Sequence, residues 1–236
     1  MFDYTAESER CLNCVKPSCK TYCPVGNDIP AFLRLVREGR FRQAVRLVGH
    51  PFGEICGYVC PRDKQCSGNC ILNKRGQALD VGLVEREVFA RYPYEVERLG
   101  GELQGLRLAI VGGGVSGITC AVKAYEQGAE VTVYERGELL STLSLIPSFR
   151  LPEQALLRVK NAVCGKIAVE NKQIDAQELA RLQGRFDAVY VATGLTADYG
   201  LGVVGQELAC NYKDFLQGDF GVKRVIVVGG GNSAVD

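Results

Sequence analysis

Eight cysteines crowd into residues 11 to 70 of a 236-residue chain that holds eleven in all. No other feature limits the fold so tightly. They stand as Cys11-x2-Cys14-x4-Cys19-x3-Cys23-Pro24, then as Cys56-x3-Cys60-Pro61 and Cys66-x3-Cys70. Thiolates are soft ligands, and such short spacings let a compact loop aim several sulfurs at one metal centre. Cys-Pro after a ligand is a feature of bacterial ferredoxin motifs. Zinc ribbons bring two Cys-x2-Cys knuckles; here a single Cys-x2-Cys occurs and the other spacings are wider. Two iron–sulfur clusters are therefore the favoured reading, with zinc and with structural thiols or disulfides as alternatives. Spacing suggests one cluster per group but does not exclude ligands that cross between groups.

The remaining composition narrows the function. Hydrophobic residues make up 47% and the formal net charge is +1, which indicates a globular chain without the basic excess of a nucleic-acid-binding protein. The apolar run from Leu108 to Val122 carries four glycines and is too short to span a bilayer. The opening MFDYTAESER has no apolar core, so no secretory signal is expected and a reducing, cytoplasmic location fits the free thiols. His50 is the sole histidine, which disfavours a histidine-centred triad; a solvated or hydrogen-bonded loop residue is expected there. Cys120, Cys164 and Cys210 stand alone and are expected to be small buried hydrophobes.

Periodicity places short helices around the cysteines. Asp28 precedes Ile29, Phe32, Leu33 and Val36, which repeat on one helical face. Gly39 is placed to end that helix. Phe41, Ala44, Val45 and Val48 mark a second helix, and Val81, Val84, Glu85 and Val88 a third that stops at Tyr92-Pro93. From 106 the pattern changes to strand, glycine turn, helix and strand: Leu106 to Val111, Gly112-Gly113-Gly114, Val115 to Gln127, then Val131 to Glu135. Phe186 to Ala192 reads as a further buried strand, and the stretch between Arg136 and Arg185 as a loop followed by weaker pieces. Arg224 to Val228 is expected to form one more strand ahead of Gly229-Gly230-Gly231.

Gly112-x-Gly114-x-x-Gly117 between a strand and a helix is a dinucleotide fingerprint. Its first glycine allows the turn, its second lets a pyrophosphate approach, and its third lets helix and sheet pack. Glu135, at the end of the second strand, is placed to bind ribose hydroxyls. The fold class expected is α/β: an N-terminal all-α domain with two [4Fe–4S] clusters over residues 1–100, a Rossmann-like FAD-binding domain over 101–221, and the start of a second nucleotide-binding unit over 222–236.

The segments CLNCVKPSCKTYCPVGNDIPAFL, PFGEICGYVCPRDKQCSGNC, VGLVERE, IVGGGVSGITCA, IPSFRLP, FDAVYVATG and VIVVGGGNSAVD follow one another along nearly the whole chain. In that order they resemble the small subunit of NADPH-dependent glutamate synthase and its relatives, which include the N-terminal half of dihydropyrimidine dehydrogenase and the large subunit of NADH-dependent ferredoxin:NADP oxidoreductase. The resemblance implies that ligands cross between the groups. Cys11, Cys14, Cys19 and Cys70 would hold one cluster. Cys23, Cys60 and Cys66, with Glu85 as a non-cysteine ligand, would hold the other, leaving Cys56 spare. It implies FAD at Gly112, Gly114, Gly117 and Glu135, with Ala192, Thr193 and Gly194 close by, and NAD(P)H at Gly229, Gly231 and Asn232. The activity implied is hydride transfer from NAD(P)H to FAD, then single-electron transfer through the clusters to an FMN or iron–sulfur acceptor in a larger partner subunit. No catalytic side chain is assigned. The chain departs from the family at Leu139-Leu140, where a glycine pair is usual. The family also continues past residue 236, so the chain alone is expected not to use NAD(P)H productively. A second functional reading is a relay or scaffold module that holds clusters and FAD without binding NAD(P)H. A third is a zinc-stabilised nucleotide-binding protein.

Overall fold

Three aspartates start three of the helices around the cysteines. In the computed structural model, which describes residues 2–195, 200, 202–218, 221 and 223–236, Asp3 accepts from the Thr5 and Ala6 amides to open α1 (Tyr4–Glu9). After the single turn of α2 (Ser18–Thr21), Asp28 accepts from Ala31 to open α3 (Ile29–Arg37). α4 (Phe41–Val48) and α5 (Gly53–Val59) follow, and Asp80 accepts from Leu83 to open α6 (Val81–Arg91). Each carboxylate satisfies an amide that the first helical turn leaves without a partner. α5 lies directly on α6. A methyl group on Gly57 would overlap the Gly82 carbonyl, and one on Gly53 would overlap the Phe89 ring. The close approach brings Cys56 and Cys60 of the α5 segment towards Glu85 of α6.

The second half is built on a parallel sheet. β1 (Arg107–Val111), α7 (Val115–Glu126) and β2 (Glu130–Glu135) form the βαβ unit. The single turn α8 (Ser141–Ser144) and the longer α9 (Glu153–Val163) lead to β3 (Ala168–Asn171), and α10 (Ala176–Arg185) leads to β4 (Ala188–Val191). Strand order is β3-β2-β1-β4, all parallel. Ile110 and Val133 join the main core with Ile118, Ala121 and Val122 of α7. Ala109, Val111 and Tyr134 face the other way, against Leu182 of α10. This is the period-two alternation of a sheet covered on both faces.

One core runs through both halves, from Phe32 and Phe89 by way of Tyr94 and Val96 to Ile118 and Leu156. Polar links cross the same seam. The Tyr94 hydroxyl donates to Glu126 at 2.7 Å, beside the Arg46–Glu126 ion pair at 3.0 Å. Arg158 of α9 grips Glu54 of α5 with two hydrogen bonds of 2.6 and 2.7 Å. Ile118 is fully buried at the centre of this core. Ile118→Ala should cost about 2–5 kcal/mol, read as a lowered apparent Tm.

The expected helices and the βαβ unit stand where the periodicity put them, and the strand expected at Phe186 to Ala192 is the shorter β4. β3 is an exposed four-residue edge strand that was hidden in the region of weaker pieces. Arg224 to Val228, expected as a strand, forms none; Ile226 and Val228 are 92% and 70% exposed. An apolar run has strand propensity, but a strand needs a hydrogen-bonding neighbour, and the described sheet offers this segment none. Val222, at the expected start of the last unit, lies outside the described residues. α11 (Tyr212–Gln217) and α12 (Asn232–Val235) complete the described chain. Among the described residues no helix is long and apolar enough to cross a membrane.

Candidate cluster and nucleotide sites

The cysteines fall into two sets that do not follow their order in the chain. Cys11, Cys14, Cys19 and Cys70 share the wall of one cavity of about 150 Å³, closed by Ile29, Leu33, Leu79 and Val81 from α3 and the start of α6. Burial pushes the Cys11 thiol up, with the nearby Cys14 and Cys70 adding to it, while its hydrogen bond with the Asn13 backbone and the charge of Arg37 pull it down. Burial likewise pushes Cys19 up to about 11. Thiols shut away from water hold their protons unless a cation compensates the thiolate charge. A site of this kind is therefore quiet as free thiol and becomes anionic when it binds metal.

Cys23, Cys56, Cys60 and Cys66 gather with Glu85 on the other side. Cys56 donates a hydrogen bond to Cys60, one helical turn on. That bond, with help from Arg62, brings Cys60 down to about 7, and it pushes Cys56 far up. Burial and the Glu85 carboxylate raise Cys66 to about 11. Glu85 is itself only 7% exposed. Burial first, and the Cys60 sulfur second, raise its pKa to about 8, against a stabilising hydrogen bond with Asn27. A lone buried carboxylate facing sulfurs is costly, and a metal centre would relieve it. Cys23 lies near enough to act on both Cys56 and Cys66, although it is four residues from Cys19. Cys56, which the family resemblance leaves spare, sits inside the set. Cys66 acts on Cys19, so the two sets are neighbours. Among the described residues no three such side chains close tightly enough for a single metal ion. Four sulfurs around one zinc stand about 3.8 Å apart, whereas ligands placed around the outside of a cube must stand wider.

The glycine turn follows β1. Gly112 has φ of 111°, and a methyl there would overlap the Ala192 carbonyl. The Ala192 amide donates to Val111 at 2.7 Å. Ala192, Thr193 and Gly194 therefore flank the turn, at the carboxyl ends of β1 and β4 where strand order reverses. That crevice is where open α/β sheets bind ligands. A methyl on Gly117 would overlap the Gly112 carbonyl, so helix and turn are in direct contact. Gly114 differs: nothing lies within 4 Å of the place its methyl would take, which leaves room for a phosphate at the amino end of α7. The Glu135 carboxylate accepts from the Gly113 amide at 2.6 Å and from the Gly137 amide at 2.9 Å, which holds it beside the turn. Leu139 packs on Gly113. Leu140 takes the left-handed conformation, φ 60°, which glycine adopts without steric cost. Its amide donates to the Gly113 carbonyl at 2.9 Å, and burial of its side chain to 2% exposure offsets a strain of about 1–2 kcal/mol.

Gly229, Gly231 and Asn232 lie on exposed backbone with no strand behind them, so they make no formed cradle. The short α12 that follows is tied back by Asp236, whose two carboxylate oxygens accept from Arg150 Nη1 at 2.5 and 2.6 Å. His50, expected as a solvated or hydrogen-bonded residue, is buried. Its Nδ1 accepts from the Phe52 amide at 3.2 Å, and burial lowers its pKa to about 4, keeping it neutral. Cys164 and Cys210 are exposed rather than buried, and Cys120 is half-buried.

Two family models match the chain. The first, described as dihydropyrimidine dehydrogenase domain II, 4Fe-4S cluster, covers residues 2–94. The second, an NAD(P)-binding Rossmann-like domain, covers residues 110–153. The glutamate synthase [NADPH] small chains of Escherichia coli K12 and Azospirillum brasilense are 30% and 31% identical over 98% of this chain, and over 55% and 54% of their own length. The NAD-dependent dihydropyrimidine dehydrogenase subunit PreT of Escherichia coli K12 is 30% identical over 98% of this chain and 60% of its own length. The chain thus spans about half the length of the curated relatives it matches. With a match to a 4Fe-4S cluster domain ahead of a match to a Rossmann-like domain, and with aligned identity along nearly all its residues, the chain is similar to the glutamate synthase small chains.

Proposed function

We propose that this chain is the cluster- and flavin-bearing part of an NAD(P)H-dependent oxidoreductase that passes electrons to a larger partner subunit, whose acceptor is FMN or an iron–sulfur centre. The observation that supports the reading is the shared cavity of Cys11, Cys14, Cys19 and Cys70; Cys23, Cys60, Cys66 and Glu85, near enough for Cys23 and Glu85 to act on Cys66 and for Cys60 to act on Glu85, are assigned to the other set. Each set would hold one [4Fe–4S] cluster. Soft thiolates suit iron–sulfur chemistry. Arg37 and Arg62 place positive charge near the anionic ligands. FAD would lie over Gly112, Gly114 and Gly117, with Glu135 turning from the Gly113 amide to the ribose hydroxyls and Ala192–Gly194 closing the crevice. The open space at Gly114 and the amide-held carboxylate both suit that ligand. When bound, flavin supplies the conversion between a two-electron hydride and single electrons. NAD(P)H is assigned to Gly229, Gly231 and Asn232 on the motif alone. On this reading the cluster domain runs to about residue 100, the flavin domain to 221, and the nicotinamide unit begins at 222, in a cytoplasmic protein.

The test is metal analysis of anaerobically purified protein. About eight irons and eight acid-labile sulfides per chain are expected. Two zincs without sulfide would overturn the reading.

Glu85 gives a second test. A carboxylate is a harder ligand than a thiolate, so Glu85→Ala should change the EPR signal and midpoint of one cluster and leave the other as it was. Cys56→Ser should leave both clusters in place. The opposite outcome, with Cys56 needed and Glu85 dispensable, would exchange the two residues' roles, which their shared environment makes chemically reasonable.

A further inference from the structure

The cavity that Cys11, Cys14, Cys19 and Cys70 share reaches the surface, and apolar side chains stand at its mouth. Of the eight cysteines between residues 11 and 70, Cys14 alone is exposed. Leu12, Lys16 and Ile71 line the same cavity, yet Leu12 and Ile71 are 60% and 45% exposed, and Val15 beside them is 98% exposed. Apolar side chains grouped on a surface point to an interaction site, whereas scattered single ones need no explanation. Ile71 opens a short 3₁₀ helix, Ile71–Arg75, whose three-residue turn puts Lys74 on the same face.

The charge around this mouth has one sign. Residues 10–27 carry Arg10, Lys16 and Lys20 and no acid, and residues 64–79 carry Lys64, Lys74 and Arg75 and no acid. The ion pairs of the region join Arg10 to Glu7, Lys20 to Asp28 and Arg62 to Asp80. Lys16, Lys74 and Arg75 are left exposed and without an ion pair among the described residues. An apolar centre inside a polar rim is the layout of a protein interface. A rim of uncompensated cations selects a partner whose facing surface is acidic. Electron-transfer encounters bury less than about 1,200 Å², so a few side chains suffice.

We propose that this mouth is the docking surface for an electron-accepting protein with an acidic face. The inference rests on the cluster reading above. Electron tunnelling falls steeply with distance, so an acceptor gains most by approaching where a ligand is exposed, and Cys14 marks that place. Each encounter moves one electron from a reduced cluster to the acceptor; no covalent bond forms or breaks.

The experiment uses two one-electron acceptors of opposite charge, an acidic plastocyanin and the basic cytochrome c. Anaerobically purified protein is reduced with dithionite, freed of excess reductant by gel filtration, and mixed with each acceptor in a stopped-flow instrument. The wild-type rate is expected to fall with rising salt for plastocyanin and to rise for cytochrome c. At an ionic strength of about 0.1 M, charges more than about 10 Å away are largely screened, so only local charge counts. There the Lys16→Glu/Lys74→Glu/Arg75→Glu variant should keep its iron and react about tenfold more slowly with plastocyanin. Its rate with plastocyanin should no longer fall with salt. Lys166→Glu/Lys172→Glu/Arg181→Glu makes the same change of net charge around β3 and α10, and should stay within about twofold of wild type. A first variant that matches wild type, a second that slows as much as the first, or a wild-type rate with plastocyanin that does not fall with salt would overturn the proposal. So would loss of iron from the first variant, which would make those side chains structural. A wild-type protein without iron and sulfide would overturn the cluster reading itself, and this inference with it.

Discussion

Replacing Cys70 with serine should remove the same cluster as replacing Cys14, although 55 residues separate them in the chain. Iron should fall from about eight to about four per chain in either variant, and the surviving EPR signal should be identical in the two. The double variant should lose no more than either single one. The reason is geometric. Cys14 lies in the loop between α1 and α2 and Cys70 lies at the end of the segment after Cys66, yet both line the cavity under α3. Cys23, by contrast, is assigned with Cys66 and Glu85 on the proposed reading, so Cys23→Ser should remove the other signal. If Cys14→Ser and Cys70→Ser lose different signals, each cysteine group holds its own cluster and the crossed arrangement is wrong.

Gly114→Val should fold normally and lose its flavin, with the flavin-to-protein ratio falling from about one to near zero. Two facts separate this position from its neighbours. Gly114 has φ of −76° and ψ of −173°, an extended conformation open to any residue, and beyond its chain neighbours no protein atom lies within 4 Å of the place its Cβ would take. The side chain therefore starts into open space at the amino end of α7. Gly117→Ala makes the contrast. Its methyl would overlap the Gly112 carbonyl, so it should destabilise the fold by about 1–3 kcal/mol or more whether or not flavin is present. Absorbance at flavin wavelengths after gel filtration, with an apparent Tm for each variant, separates the two effects. A Gly114→Val protein that keeps stoichiometric flavin would move the cofactor away from this turn.

Much of this architecture could be read locally. Asp28 followed by Pro30, the i, i+3, i+4 spacing of Ile29, Phe32, Leu33 and Val36, and the glycine turn between β1 and α7 are signals written within one or two turns of backbone. Hydrogen bonds and side-chain contacts at that range depend little on the rest of the chain. β3 escaped notice because a four-residue edge strand with every side chain exposed carries no alternation to detect. The run 224–228 misled for the converse reason: its residues suit a strand, but strand formation is decided by a neighbour that no local pattern names.

The sites divide along the same line. Residue type and order alone determined that thiolates, a glycine turn and a terminal acid were present, because softness, a positive φ and a carboxylate belong to single residues. Which thiols share a centre was left open by spacing and suggested by the family resemblance; the grouping itself is a property of packing. Gly53 and Gly57 let α5 settle on α6 against Phe89 and Gly82, and that contact carries Cys56 and Cys60 to Glu85. The same holds for Ala192, which reaches Gly112 because β4 pairs with β1 rather than with β3. Only the tertiary structure decides these meetings, since they depend on how closely two surfaces far apart in the chain approach one another, and that distance is set by the summed packing of many residues rather than by any one of them.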